Sequence, residues 1–361
     1  MSASLEALFS YRNISKAFEK VKTGIPDVLP SAFSTIKEQV YGNETTATTF
    51  YGERRLVKRI EYGSPTIAMS KRPIGQQSII LSQFGGHIKF EQELLLRLRG
   101  FSDLLAMEKA KDVIARGVAD HKKRFENNRI AHMIHMLSFG ALWYSSAGAL
   151  QTSSSGAVAT QDFGVPAGNQ NQVSGIVDAS WATTTTNIFM HFEGIKQRAA
   201  QLTGFPLKHA FYGKNIPQYI YKNDSLKHYF QFNPTYYQAL ANNPGVIPNG
   251  FMDLEWHPMR DAHYYDDDDT VVNPWDADRL TLTPEITEDV YTLYEGSILV
   301  PKSIGIQPNI DAALGNAELL YGMGGYTVMT NDPFSIKCPM IDTMSPWWKN
   351  GNTMFIVDTA F

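Results

Sequence analysis

Apolar positions along this chain change their period several times, and each change marks an element. From about Ser102 to Tyr144, apolar residues recur at Leu104, Leu105, Val113, Ile114, Val118, Phe125, Ile130, Met133, Ile134 and Leu137, the three-to-four spacing of one long helix. Ser102 and Asp103 suit its cap. Gly117 is a poor helix former, costing up to about 1 kcal/mol against alanine, and marks a candidate bend. About 40 residues of helix span roughly 60 Å, against roughly 53 Å for the diameter of a compact chain of this length. A continuous helix therefore makes the molecule elongated or flat. The apolar positions do not hold a strict 3.5-residue spacing, which excludes a heptad coiled coil.

Residues 45–90 instead read as extended segments broken at Gly63-Ser64-Pro65 and Pro73-Ile74-Gly75, with polar and basic residues interleaved. A lone hairpin is marginally stable, so this stretch needs a neighbour. Ahead of it, residues 1–42 carry short amphipathic pieces around Leu5, Leu8 and Phe9 and around Phe18 and Val21. Gly24, Pro26 and Pro30 punctuate them, which predicts an arm. Residues 145–180, rich in Gly, Ser, Thr and Gln, predict a loop with one strand at Asp162–Val165. From Thr183 the pattern predicts a helix over 187–202 stopped by Gly204, a strand at 209–212 and helical turns to about Asn242. Strands follow near 250–257, 280–283 and 298–300. The last fifty residues alternate again and end in a strand over 354–357, with Trp347 and Trp348 before Lys349-Asn350-Gly351-Asn352 predicting a hairpin or loop. The class is α+β.

Composition adds scale and polarity. With 361 residues the chain holds two ordinary domains or one body with insertions, and 43% hydrophobic residues exclude disorder. Residues 45–90 carry +5 within a chain of net charge -4, so the remainder carries -9; residues 253–295 alone carry -11. A basic arm on an acidic body points to one subunit reaching onto the next. The single cysteine, Cys338, excludes an internal disulfide. The charged N-terminus lacks the apolar core of a signal peptide, so synthesis in the cytoplasm is expected. The charge-free run 130–150 holds His132, His135 and several Ser and Gly. It predicts a buried helix end and loop rather than a membrane span.

No catalytic constellation emerges. Asp266–Asp269 is a run of four carboxylates without EF-hand spacing, and predicts a solvated loop. His132 and His135 are three apart on the helix with no recognisable third ligand, and predict core or interface histidines. Gly322, Gly324 and Gly325 lack a phosphate-loop setting and predict a flexible turn, and Cys338 predicts a small buried side chain. Nucleophile elbow, HExxH, P-loop and zinc-type cysteine pairs are all missing from the sequence. Neither enzyme activity nor a cofactor or metal is expected. Two alternatives stay in view: a nucleic-acid-binding module using residues 50–62, where Arg54, Arg55, Lys58 and Arg59 mingle with Phe50, Tyr51 and Tyr62, and a metal-assisted hydrolase at Asp266–Asp269.

Three stretches carry a family resemblance: TTATTFYGERRLVKRIEYGSPTIAMSKR running to HIKFEQELLLRLRG; WYSSAGALQ with QDFGVPAGN; and TNDPFSIKCPMIDTMSPWWKNGNTMFIVDTAF. In order and character they resemble the phage lambda-type major capsid protein E family of tailed bacteriophages. That resemblance implies the Hong Kong 97-type capsid fold, with an N-terminal arm (1–44), an extended β-hairpin loop (45–91), a peripheral domain with a long spine helix (92–182), an axial domain (183–310) and a return to the peripheral domain (311–361). It implies self-assembly into hexamers and pentamers that form an icosahedral shell. Cement or decoration, scaffold and portal proteins are its further partners, and packaged DNA meets the inner face without sequence specificity. A membrane partner is not expected. The particle would be a virion assembled in the host cytoplasm, without covalent cross-links. Arg54, Arg55, Lys58, Arg59, Lys71 and Arg72 are then the expected inter-subunit contacts.

Overall fold

The computed structural model describes residues 29–50, 74–90, 104–227, 238, 245–265, 270–301, 317–326, 328–331 and 334–361. Helix α1 (Ala32–Thr35) leads to strands β1 (Lys37–Val40), β2 (Glu44–Phe50), β3 (Ile74–Ile80) and β4 (Ser82–Phe90). Helix α2 (Leu104–Phe139) follows, then β5 (Ala141–Tyr144), β6 (Leu150–Gln151), β7 (Ala159–Asp162) and β8 (Gln170–Asn171). Next come α3 (Ile188–Leu202), β9 (Leu207–Tyr212), α4 (Ile216–Lys222), β10 (Glu255–Pro258), β11 (Tyr264–Tyr265), β12 (Val271–Val272) and β13 (Arg279–Pro284). The chain closes with β14 (Tyr291–Pro301), β15 (Ala317–Tyr321), β16 (Met323–Gly325), β17 (Val328–Asn331), β18 (Phe334–Trp348) and β19 (Phe355–Asp358).

Helix α2 runs unbroken for 36 residues, about 54 Å at the α-helical rise. Gly140 ends it: the residue adopts φ +66°, and its N–H donates to the Met136 carbonyl at 2.9 Å. A glycine accepts this left-handed C-terminal position without Cβ strain. The chain turns directly into β5, so residues 141–144, expected as the last helical turn, are a strand. The C-terminal half of α2 is buried, with His132, Ile134, His135, Met136 and Leu137 all inside, whereas Val113 near its other end is half exposed. Among the described residues no helix is long and apolar enough to cross a membrane.

A seven-stranded sheet covers α2, in the order β1-β14-β18-β16, with β4 and β17 also paired to β18 and β15 to β14. Alternation in β4 sets its register: Phe84, Ile88 and Phe90 point inward while Gln83, Gly85, His87 and Lys89 are exposed. Gly117 sits where this strand crosses the helix, and a Cβ there would lie 3.7 Å from Ile88 Cδ1 and 3.8 Å from Phe90 Cζ. One core joins α1, α2 and this sheet through Phe33, Met136, Leu137, Tyr291 and Leu293.

A second core lies on a five-stranded sheet, in the order β10-β9-β13-β19-β8, against α3 and α4. Helix α3 forms as its sequence predicts. The Asn187 side chain accepts from the Met190 N–H at 3.2 Å, and Ile188, Phe192, Ile195 and Ala199 make its buried stripe. Consecutive strands divide between the sheets: β13 belongs to the five-stranded sheet, β14 to the seven-stranded one, and β19 returns to the former.

Two further sequence expectations change and a third holds. Residues 145–180 hold β6, β7 and β8 rather than one strand at 162–165, because the short polar strands β6 and β7 pair with β5 and carry no apolar alternation of their own. Gly324 and Gly325 are not a flexible turn but lie in β16, paired with β18. Trp347 and Trp348 end β18 and are 3% and 1% exposed. The turn falls after them, where Trp348 Nε1 donates to Thr353 Oγ1 at 2.9 Å.

Candidate assembly site

The predicted contact residues Arg54, Arg55, Lys58, Arg59, Lys71 and Arg72 lie outside the described residues, as do Asp266–Asp269 and the helical pieces around Leu5 and Phe18. What the structure describes are the two strands that flank residues 51–73. Strands β2 and β3 pair antiparallel from Glu44↔Ile80 to Phe50↔Ile74, so residues 51–73 join the far ends of a hairpin. Its root is fastened: Ala47, Ile79 and Leu81 are buried, Leu81 N–H donates to the Asn43 carbonyl at 2.8 Å, and Gly42 N–H donates to Ser297 Oγ at 2.8 Å. From there β3 runs on into β4, which pairs with β18 from Met344↔Ser82 to Ile336↔Phe90. Two large side chains at the root face solvent, Tyr41 at 81% and Ile80 at 66% exposure.

Beneath the root sits an ion cluster that joins arm, helix and sheet. Arg129 on α2 grips Asp342 on β18 with two bonds, Nε to Oδ2 at 2.7 Å and Nη2 to Oδ1 at 2.6 Å, and its Nη1 donates to Glu295 Oε1 on β14 at 2.7 Å. Lys37, from the arm strand β1, donates to the same Glu295 oxygen at 3.1 Å. The side chains of Arg129 and Glu295 are each 11% exposed and that of Asp342 is fully enclosed. Burial disfavours the guanidinium charge, but the hydrogen bond and charge of Asp342 and then of Glu295 outweigh it, so Arg129 is held above its ordinary value. Planar fork geometry fits arginine to this role and lysine does not. Gly322, at φ +71°, makes room for the cluster: a Cβ there would stand 2.8 Å from Glu295 Cδ and 2.9 Å from Arg129 Nη2.

His132 and His135 face the same packed interior. His132 Nδ1 donates to the Asn128 carbonyl at 2.6 Å, and its ring meets Phe84 edge-on at 4.9 Å. His135 Nε2 lies 3.0 Å from the Tyr264 hydroxyl. Burial pulls His132 down to about 4; burial, then the His132 charge, pulls His135 down to about 3. Both are core histidines, as expected, and Cys338 is likewise buried. Sequence reading missed a third grouping, His209 with Glu255 and His257, which only the pairing of β9 with β10 brings together.

Comparison with known proteins fits this geometry. A prophage protein of E. coli CFT073 assigned as a capsid protein shares the fold at 12% identity and a TM-score of 0.54, over 97% of this chain and 99% of that one. A chain from Gordonia phage Cozz aligns over 99% of this chain and 95% of its own at 12% identity and a TM-score of 0.45. A phage-related protein of Bordetella bronchiseptica RB50 aligns over 97% of both chains at 10% identity and a TM-score of 0.44. No curated protein matches the chain in sequence. Residues 12–295, which include β1 to β4, α2 and most of the second core, match the family model for phage major capsid protein E, and the chain therefore belongs to that family of shell-forming capsid subunits.

Proposed function

We propose that this subunit assembles through hexamers and pentamers into an icosahedral shell around packaged DNA, with loop 45–91 laid over a neighbouring copy. The observation that carries this reading is the β2–β3 hairpin, whose root is fastened to the body and whose two strands are joined by residues 51–73, a segment with six basic residues against two acidic ones in a chain of net charge -4. Arg54, Arg55, Lys58, Arg59, Lys71 and Arg72 then meet an acidic surface on the neighbour. Asp253, Asp276, Glu285, Glu288 and Asp289 are all exposed and are candidates for it. Opposed potentials of this kind orient an encounter and fix its register. Heterologous contacts of one chain close into rings and shells when the rotation permits.

In this reading residues 1–44 are the arm, 92–182 with 311–361 the peripheral domain and 183–310 the axial domain, with β14 and β19 crossing between them. The role is structural rather than catalytic. DNA is met without sequence specificity, and scaffold, decoration and portal proteins are further partners. Subunits assemble in the host cytoplasm and end in the virion. Excising residues 51–73 and joining Phe50 to Ile74, which are register partners, spares β4 and its pairing with β18. The shortened chain should keep its urea midpoint and show no rings or shells in negative-stain microscopy. Intact shells from it would overturn the proposal.

A further inference from the structure

His209, Glu255 and His257 meet on the edge strand β10 of the five-stranded sheet and its neighbour β9. The two strands run parallel with Glu255 opposite His209 and His257 opposite Phe211, so alternation puts all three side chains on one face. His209 Nδ1 stands 3.1 Å from His257 Nε2 and 3.4 Å from Glu255 Oε2, and the three donor atoms lie within 4.8 Å of one another. Two ligands on a tetrahedral zinc ion, each about 2.05 Å from it, are about 3.3 Å apart. Two edges of the coordination polyhedron are thus already at size.

Two of the three ligands are also held from outside, as metal ligands usually are. His257 stacks on Phe211 with ring centroids 5.0 Å apart and planes 24° apart. Lys208 Nζ holds Glu255 Oε1 at 3.1 Å, which leaves Oε2 facing the rings. A hydrogen bond between two neutral rings accounts for the His209–His257 contact alone. A cation between the three groups uses every donor. The Glu255 side chain is 43% exposed, so the fourth position opens to water.

We propose that His209, Glu255 and His257 form a binding site for one divalent transition-metal ion of the zinc class, with water in the fourth position. The nitrogen-rich donor set suits zinc, cobalt or nickel and not magnesium or calcium. Bound metal would staple the edge strand to β9, stabilising the folded chain by mass action.

The test uses the full chain without a histidine tag, stripped with chelator and titrated with zinc chloride in a calorimeter. The expected result is one zinc per chain and a raised melting temperature, with no rise in magnesium chloride. Cobalt chloride should give the visible bands of a four- or five-coordinate ion. Glu255→Gln, on the exposed rim, and His257→Gln should each weaken zinc binding at least tenfold. If His257→Gln does not fold, Glu255→Gln decides. Absence of zinc binding, or binding that survives Glu255→Gln undiminished, overturns the site.

Discussion

Replacing Arg129 with methionine keeps the aliphatic stem and removes three charge-assisted bonds. Glu295 retains Lys37, but Asp342, with a fully enclosed side chain, loses its bidentate partner. Removing one member of a buried pair costs about 3–5 kcal/mol, because the other charge stays behind without solvent. The carboxylate has an escape that sets a ceiling: it can take up a proton, and holding an ordinary aspartic acid neutral at pH 7 costs about 4 kcal/mol. We therefore expect Arg129→Met to lose about 3–4 kcal/mol in equilibrium urea unfolding followed by tryptophan fluorescence, a large part of a typical domain stability of about 5–15 kcal/mol. The mechanism leaves a signature in pH. Where the folded state holds a proton that the unfolded state releases, stability falls as pH rises, so acidification from pH 7 to 5 should narrow the gap between variant and parent by about 2–3 kcal/mol. Adding Asp342→Leu removes the stranded carboxylate and should recover part of the loss even at pH 7. A variant within about 1 kcal/mol of the parent, or a gap that does not narrow in acid, would refute the reasoning.

Two further outcomes follow from the same interface. Gly117→Ala should stabilise the chain by about 0.5–1 kcal/mol in thermal or urea unfolding, since the added methyl meets Ile88 and Phe90 at ordinary contact distance and the backbone is helical; a loss would show that β4 crosses too tightly there. For the parent, His132 at about 4 and His135 at about 3 lie below the ordinary 6.5. The unfolded chain thus binds more protons between those values, and stability present above pH 6.5 is lost as pH falls. The two together contribute about 4 kcal/mol of loss between pH 7 and 5. His121, His209 and His257 lean the same way. His132→Gln/His135→Gln should therefore flatten the pH profile without abolishing its slope, and an unchanged profile would count against the assignment.

Local signals in the sequence were reliable wherever an element is decided by its own residues. The period of α2, the extent of α3 up to Gly204 and the interleaved polar residues of β4 each follow from side chains within about a dozen positions. Elements whose stability comes from a distant partner were not legible. The short strands β6 and β7 have no apolar face, and β5 supplies their ladder. The glycines of 322–325 read as slack because their composition is that of a turn. In the fold Gly322 is small so that Arg129 and Glu295 can pass, and Gly324 and Gly325 press against β18.

The same distinction limits what charge arithmetic says of the proposed contact. Net charge by segment is a property of the sequence: +5 over residues 45–90 and -11 over residues 253–295. Which charges are spent inside the subunit is a property of the fold. Glu295 counts toward the acidity of 253–295, yet it is buried beneath Arg129 and Lys37 and cannot receive a neighbour's arm. Glu255 is already bonded to Lys208 and turned toward two imidazoles. Asp261 is likewise paired with Arg260 at 3.4 Å, so the exposed carboxylates at 253, 276, 285, 288 and 289 remain as the described candidates for the proposed contact. The cluster at Arg129 has a different task. It joins β1, α2 and the two central strands β14 and β18, and β18 in turn pairs with β4, which continues from the β2–β3 hairpin.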